Sequence, residues 1–351
     1  VLGLTATSAF AGSIQRAGDG SQILFERGKN YVEFSAIYAD ADISGVGTGP
    51  FAGTASGDIA NSFLSFSAGF KTRSNKKLTF ALVGSNPVGA DVSYPVSPYF
   101  FSGSTAEITS TALTGYLRYD ITDRFHVYGG LRATNVNGNV NLVPGTPFNY
   151  TLNVRSDIGC GYVLGAAFTI EEIFMKFALT YESKTEHDFI DNAGTPFTVE
   201  IPQAVTLHAR SAVSEKMLVF GSIRWQEWSE FQVGPNDFLT NPLNTAGLPI
   251  AFGAGDYITY EIGVARRFTE KLAVVGTYSQ EPSQGALVGN LEGRNGFDSY
   301  GLGGIYSPNR KYDITAGVRY IQLGDATTTT IGSRFSGNDA LAFGLKLGYR
   351  F

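Results

Sequence analysis

From Asn30 to the C-terminus, apolar and polar residues alternate with a period of two in short segments separated by polar stretches. The last segment is the clearest. Leu341, Phe343, Leu345, Leu347, Tyr349 and Phe351 fall on one face, and Ala342, Gly344, Lys346, Gly348 and Arg350 on the other. In the same way Tyr312, Ile314, Ala316, Val318 and Tyr320 alternate with Asp313, Thr315, Gly317 and Arg319. Met175, Phe177, Leu179 and Tyr181 oppose Lys176, Ala178, Thr180 and Glu182. Successive side chains of a strand point to opposite faces, so this pattern predicts strands with one large apolar face and one small or charged face.

Followed along the chain, the pattern predicts fourteen strands, at 30–42, 61–72, 78–90, 105–120, 126–137, 152–170, 174–186, 197–213, 217–232, 256–268, 272–280, 297–306, 312–322 and 339–351. Their connections alternate in kind. Arg73 to Lys77, Ile121 to Arg124, Glu171 to Ile173, Ser214 to Lys216, Thr269 to Lys271 and Ser307 to Lys311 are tight polar turns. Ile43 to Ala60, Val233 to Gly255 and Leu323 to Asn338 are long and rich in Gly, Asn, Thr and Pro. An even number of long strands with short turns on one rim and long loops on the other describes an all-β transmembrane antiparallel barrel. A soluble propeller or sandwich also uses many short strands but gives little reason for alternating loop lengths. Aromatics near strand ends, Tyr119, Trp225, Trp228, Phe231, Tyr257, Phe268, Tyr306 and Phe351, are expected to form interfacial girdles.

Composition narrows the class. Charged residues are 16% of the chain and there are 43 glycines, against about 25% and about 7% in an ordinary soluble domain. Apolar residues at 43% exclude disorder, and a net charge of -5 argues against a nucleic-acid partner. A single cysteine, Cys160, forms neither an internal disulfide nor a thiolate zinc cluster. No run approaches the roughly 18 to 20 apolar residues of a spanning helix, so a membrane crossing would use strands. Val1–Ala11 is small and apolar and ends in Ala9-Phe10-Ala11, the form of a signal-peptide cleavage site; residues 1–11 are expected to be a leader remnant, with the mature chain starting at Gly12. Gly12 to Lys29 carries Ile14, Ile23, Leu24 and Phe25 without strand or helix periodicity.

If the apolar face meets lipid, the other lines the lumen. By alternation it carries Glu33, Lys71, Arg118, Asp120, Arg132, Asp157, Lys176, Glu182, Lys184, His208, Arg210, Arg224, Glu261, Arg267, Asp313, Arg319, Lys346 and Arg350. Most are expected to pair across strands. Basic residues outnumber acidic ones, so an anionic head group is expected to find an arginine among Arg118, Arg132, Arg210, Arg224 and Arg319. In the third strand Gly84, Asn86, Pro87 and Gly89 interrupt the pattern, and the strand is expected to kink or detach there, because proline donates no ladder bond. Catalytic and metal signatures are thin: His126, His187 and His208 have no ligand spacing, and no serine sits in a Gly-x-Ser-x-Gly elbow. No cofactor and no enzymatic activity are expected.

Together these residues resemble the FadL/TodX family of outer-membrane transporters for long-chain fatty acids and other hydrophobic compounds. The resemblance rests on Trp225 to Phe231, on Pro202 in Val199-Glu200-Ile201-Pro202, on the Asn86-Pro87 break and on the terminal Tyr349-Arg350-Phe351. It implies a fourteen-stranded barrel at residues 30–351, plugged by an N-terminal hatch at 12–29 that sets Ile14, Ile23, Leu24 and Phe25 against ligand or lumen wall. It also implies an inward kink of the third strand at Gly84, Asn86, Pro87 and Gly89 that opens the wall sideways, and passive uptake with lateral release. The setting implied is the outer membrane of a Gram-negative bacterium, as a monomer among outer-membrane lipids and lipopolysaccharide. Segments Gly138 to Tyr150 and His187 to Pro196 are short, so an outer capture groove is not expected here. The alternative reading is a general porin for small polar solutes.

Overall fold

The computed structural model describes residues 14–95, 97–285 and 287–351. The leader expected at 1–11 and the first residues of the expected hatch lie outside them.

Fourteen antiparallel strands close into one barrel. They are β1 Asn30–Asp42, β2 Phe63–Arg73, β3 Leu78–Ser85, β4 Thr105–Asp120, β5 Phe125–Leu142, β6 Tyr150–Ile170 and β7 Met175–Glu182. The second half comprises β8 Ala204–Ser214, β9 Met217–Gln226, β10 Tyr257–Arg267, β11 Leu272–Glu281, β12 Phe297–Tyr306, β13 Tyr312–Leu323 and β14 Asp339–Arg350. Every strand pairs with its neighbours in sequence, and β1 closes on β14 through a register that runs from Tyr31↔Arg350 to Asp42↔Asp339. Closure of β1 on β14 removes the two terminal edges of the sheet, as lipid requires of a spanning sheet.

The alternation sorts as expected. Leu131 is 76% exposed and Ile158 65%, whereas inward Arg118 is 9% and Lys176 5% exposed. Phe34, Phe70, Leu113, Leu179, Ile262 and Phe343 belong to the outer belt. An apolar exterior around a polar interior inverts a soluble fold and matches a bilayer barrel. β5 and β6 run for 18 and 21 residues, beyond the roughly 9–11 that cross a bilayer, so their ends on the long-loop rim project past it.

Three predicted strands differ. The seventh stops at Glu182, and Thr185–Ile190 then pairs with Pro196–Ile201 as a separate hairpin before β8 begins at Ala204; Pro202 lacks the N–H needed to carry a ladder through that corner. The ninth stops at Gln226 because a 3-10 turn, Trp228–Glu230, swings the chain inward. Trp228, Phe231 and Tyr257, expected in a girdle, are therefore buried inside, at 1%, 2% and 1% exposure. Tyr119, Phe268, Tyr306 and Phe351 do lie on the outer surface near strand ends. Two residues assigned to the lumen also face out: Arg267 is exposed, and Lys184, just past the end of β7, pairs with Glu186 and Glu200 on the hairpin.

Residues 14–29 run through the barrel interior. Their one regular piece is a 3-10 turn, Gly20–Phe25, whose N-cap Asp19 accepts the Ser21 N–H at 2.8 Å. Opposite walls hold this segment: Lys71 Nζ on β2 donates to the carbonyls of Glu26 and Gly28, Arg118 on β4 donates to Leu24 O at 2.8 Å, and Thr180 on β7 donates to Asp19 at 2.8 Å.

Candidate functional site

The third strand pairs with β2 and β4 through Leu78–Ser85, and Gly84 still keeps partners on both sides, Ala68 and Leu113. It then breaks at Asn86–Val88 and resumes as Gly89–Ser93, which forms its ladder with β4 and touches the other side only through the Ala60↔Val92 bridge and the bonds beside it. Between the pairs Ser85↔Ala112 and Gly89↔Thr109 the third strand uses one residue more than β4, the count of a bulge. Ser110 on β4 clamps the extra length: its Oγ accepts the Val88 N–H at 3.0 Å, and its carbonyl accepts Asn86 Nδ2 at 2.8 Å. Pro87 O accepts the N–H groups of Arg16 and Ala17, while the Gly89 N–H donates to Ile14 O at 2.8 Å. The interior segment thus supplies the ladder bonds that a neighbouring strand would otherwise make.

β2 is left without that ladder. Phe63–Phe66 pairs with Ala36–Ala39 of β1, but its other side has no third-strand pairing beyond Ser67↔Ser85 until the isolated bridge Ala60↔Val92. Between them the Phe66 N–H reaches Asn86 Oδ1 at 3.2 Å, and at the long-loop end the Asn61 N–H reaches Asp91 O at 3.2 Å. The result is a window in the wall between β2 and the broken strand.

Two cavities adjoin this region. On the long-loop side an almost wholly apolar cavity of about 90 Å³ lies among β4, β5, β6 and the inner hairpin, lined by Ile108, Val136, Val154, Phe189, Val199 and Phe231 among others, with Ile14 at its floor. Trp228 and Tyr257 pack into the same cluster. A larger cavity of about 210 Å³ runs beside residues 15–26 and is of mixed character: Glu33, Ser67, Arg210 and Lys346 share its lining with Phe66 and Val88.

The expected hatch residues separate into two groups. Ile23 and Leu24 are buried against Tyr31, Val83, Tyr116 and Tyr128, with Phe25 packed beside them under the Arg118 guanidinium and the Lys176 ammonium. Ile14 faces the apolar cavity instead. The segment's centre is Asp19, which also takes Ser21 Oγ and Gln22 Nε2 and lies 3.3 Å from His208 Nε2. Burial works to raise the Asp19 carboxyl, but His208, Ser21 and Gln22 outweigh it and hold the group well below the usual carboxylate range.

Of the five arginines chosen by lumen direction, four are held by carboxylates. Arg132 and Arg224 grip the two oxygens of Glu182, Arg118 pairs with Asp120 at 2.9 Å, and Arg319 pairs with Glu261 at 3.0 Å. Arg210 has no carboxylate within ion-pair reach among the described residues, and its Nε is buried without a partner. Alternation missed Arg16 and Asp19 because neither lies on a strand, and Trp228 because its strand had already ended. A cap signature, Asp19 two residues before Ser21, is the one local signal that marked any of them.

No protein-family model matches the chain, and no curated protein matches it in sequence. Solved structures do. A Pseudomonas aeruginosa FadL homologue superposes with a TM-score of 0.73 at 16% identity, covering 98% of this chain and 96% of that one. The Pseudomonas putida toluene transporter TodX gives 0.68 at 13% identity, covering 100% and 99%. The Ralstonia pickettii toluene transporter TbuX gives 0.66 at 13% identity, covering 100% and 98%. Over its whole length, then, this chain has the barrel fold of the FadL homologue, TodX and TbuX.

Proposed function

We propose that this protein is an outer-membrane channel of a Gram-negative bacterium that takes up hydrophobic small molecules, long-chain fatty acids or related compounds, by passive diffusion. The ligand enters the apolar cavity from the long-loop side and leaves sideways through the window beside Asn86–Gly89, with residues 14–29 acting as the hatch that closes the straight route. The observation that carries this reading is an apolar cavity whose lining, through Ala90 and Val92, reaches the strand segment that follows the break in the wall. A hydrocarbon chain gains about 0.8 kcal/mol for each methylene taken from water, so a greasy cavity with a side door suits it and a water-filled pore does not. The similar structures described as toluene transporters support a hydrophobic cargo and a transport role rather than catalysis. The apolar belt would sit among outer-membrane lipids and lipopolysaccharide, with the monomer as the working unit.

Arg210 is the arginine we assign to a carboxylate head group on the far side of the hatch, because it is the member of the set not already neutralised. Arg210→Ala is expected to weaken fatty-acid affinity about tenfold, the loss of one charge-assisted hydrogen bond. The cavity itself is tested by Val154→Asp together with Val199→Asp, which place charge in its lining; binding of a hydrophobic ligand should fall by an order of magnitude or more while the barrel still folds. The porin reading makes the opposite electrical prediction. Large, steady single-channel currents from the intact protein in planar bilayers would support it and contradict the hatch.

A further inference from the structure

Arg16 occupies the window. Its backbone N–H bonds to Pro87 O at 2.9 Å, and the neighbouring residue Gln15 bridges to Val88, so residues 14–17 are laid along the broken strand like an added ladder. From there the side chain crosses to β2. The guanidinium carbon lies 4.1 Å from the centre of the Phe63 ring, on the β2 side of the window. On the other side it passes so close to Gly89 that a Cβ there would sit 2.6 Å from it. One flat cation therefore spans the window from edge to edge, between an aromatic face and a glycine backbone.

Its hydrogen-bonding capacity is unused. Among the described residues the Arg16 side chain makes no hydrogen bond and no ion pair, its Nε is buried without a partner, and the side chain borders the larger cavity. The nearest acids, Asp91 and Glu107, act on it only at a distance and form no ion pair with it, while each accepts an amide hydrogen, Asp91 from Asn61 Nδ2 at 2.7 Å and Glu107 from Asn139 Nδ2 at 3.2 Å. A half-buried guanidinium that rests on a ring, with only its Nε fully buried, is held weakly and is ready to exchange the ring for an anion, because charge-assisted hydrogen bonds to a carboxylate outweigh a cation–π contact.

We infer that Arg16 is a charge-reading door in the barrel wall, which a carboxylate-headed amphiphile opens by drawing the guanidinium off Phe63 and which a neutral hydrocarbon of equal length cannot displace. This rests on the lateral exit proposed above. Arg210 and Arg16 then act at different stages, the first on affinity and the second on the rate and selectivity of release.

The test compares decanoic acid with decan-1-ol, which share a chain and differ in the head group. Initial uptake of each radiolabelled probe is measured in Gram-negative cells expressing the full chain, with folding checked by heat-modifiable migration in gels. Arg16→Gln is expected to lower the ratio of acid to alcohol uptake about tenfold without reducing alcohol uptake. An unchanged ratio in folded barrels, or an equal fall for both probes, overturns the inference. A third variant, Gly84→Val/Pro87→Thr/Gly89→Val, separates the two levels. If it leaves uptake of both probes intact, the lateral exit itself fails; if it blocks both while Arg16→Gln leaves the ratio unchanged, only the role of Arg16 fails.

Discussion

Glu182 holds two arginines from different strands, Arg132 of β5 and Arg224 of β9, and is itself almost fully buried. Removing that one charge strands two cations in the lumen. Glu182→Gln should therefore cost about 3–5 kcal/mol, read as an earlier midpoint in urea unfolding of the micelle-bound barrel. Asp19 acts in the same way for the interior segment. Its carboxyl is held below the ordinary value, so its contribution is complete above about pH 4 and disappears as the pH falls through the lower folded value. Protease protection of residues 14–29 should fall in strong acid, and Asp19→Asn should give poor protection already at neutral pH with no acid dependence. At this scale alternation found which arginines point inward but not which were free, because Glu182 and Glu261 become partners of Arg132, Arg224 and Arg319 only once the strands are in register; Asp120, two residues from Arg118 on β4, is the exception.

Elements were legible where the period of two was unbroken and illegible where a single residue turned the chain. β14, β13 and β7 follow the alternation of Leu341–Phe351, Tyr312–Tyr320 and Met175–Tyr181. The slip at Trp225–Phe231 was visible in sequence but ambiguous, since a tryptophan at a strand end serves equally well in a girdle or, after an inward 3-10 turn, in a core. Asn86-Pro87 marked the third-strand break correctly, yet nothing local indicated that Ile14, Arg16 and Ala17 would supply the missing hydrogen bonds. Close approach also sets the seat of the interior turn. A Cβ on Gly69 of β2 would sit 2.5 Å from Ile23 Cδ1, so Gly69→Val should lift Gly20–Phe25 from the wall while the outward-facing pattern of β2 stays intact. Limited proteolysis of the folded variant is expected to cut within residues 14–29, and full protection would show that the turn is held without that contact.

Among the described residues the molecule is a closed sheet with an apolar outside, a charged and largely neutralised inside, and one place where the wall is not continuous. The closed barrel follows from strand number and alternating loop lengths, so it was readable from sequence; the two cavities were not, because their linings come from strands far apart in the chain. The proposed function rests on the discontinuity. Uptake of a hydrophobic probe by cells expressing the barrel with Gly84→Val/Pro87→Thr/Gly89→Val, beside ligand binding to the purified variant, tests that directly. The continuous third strand is expected to abolish uptake while binding in the apolar cavity persists; undiminished uptake through a correctly folded, regular wall would contradict lateral release.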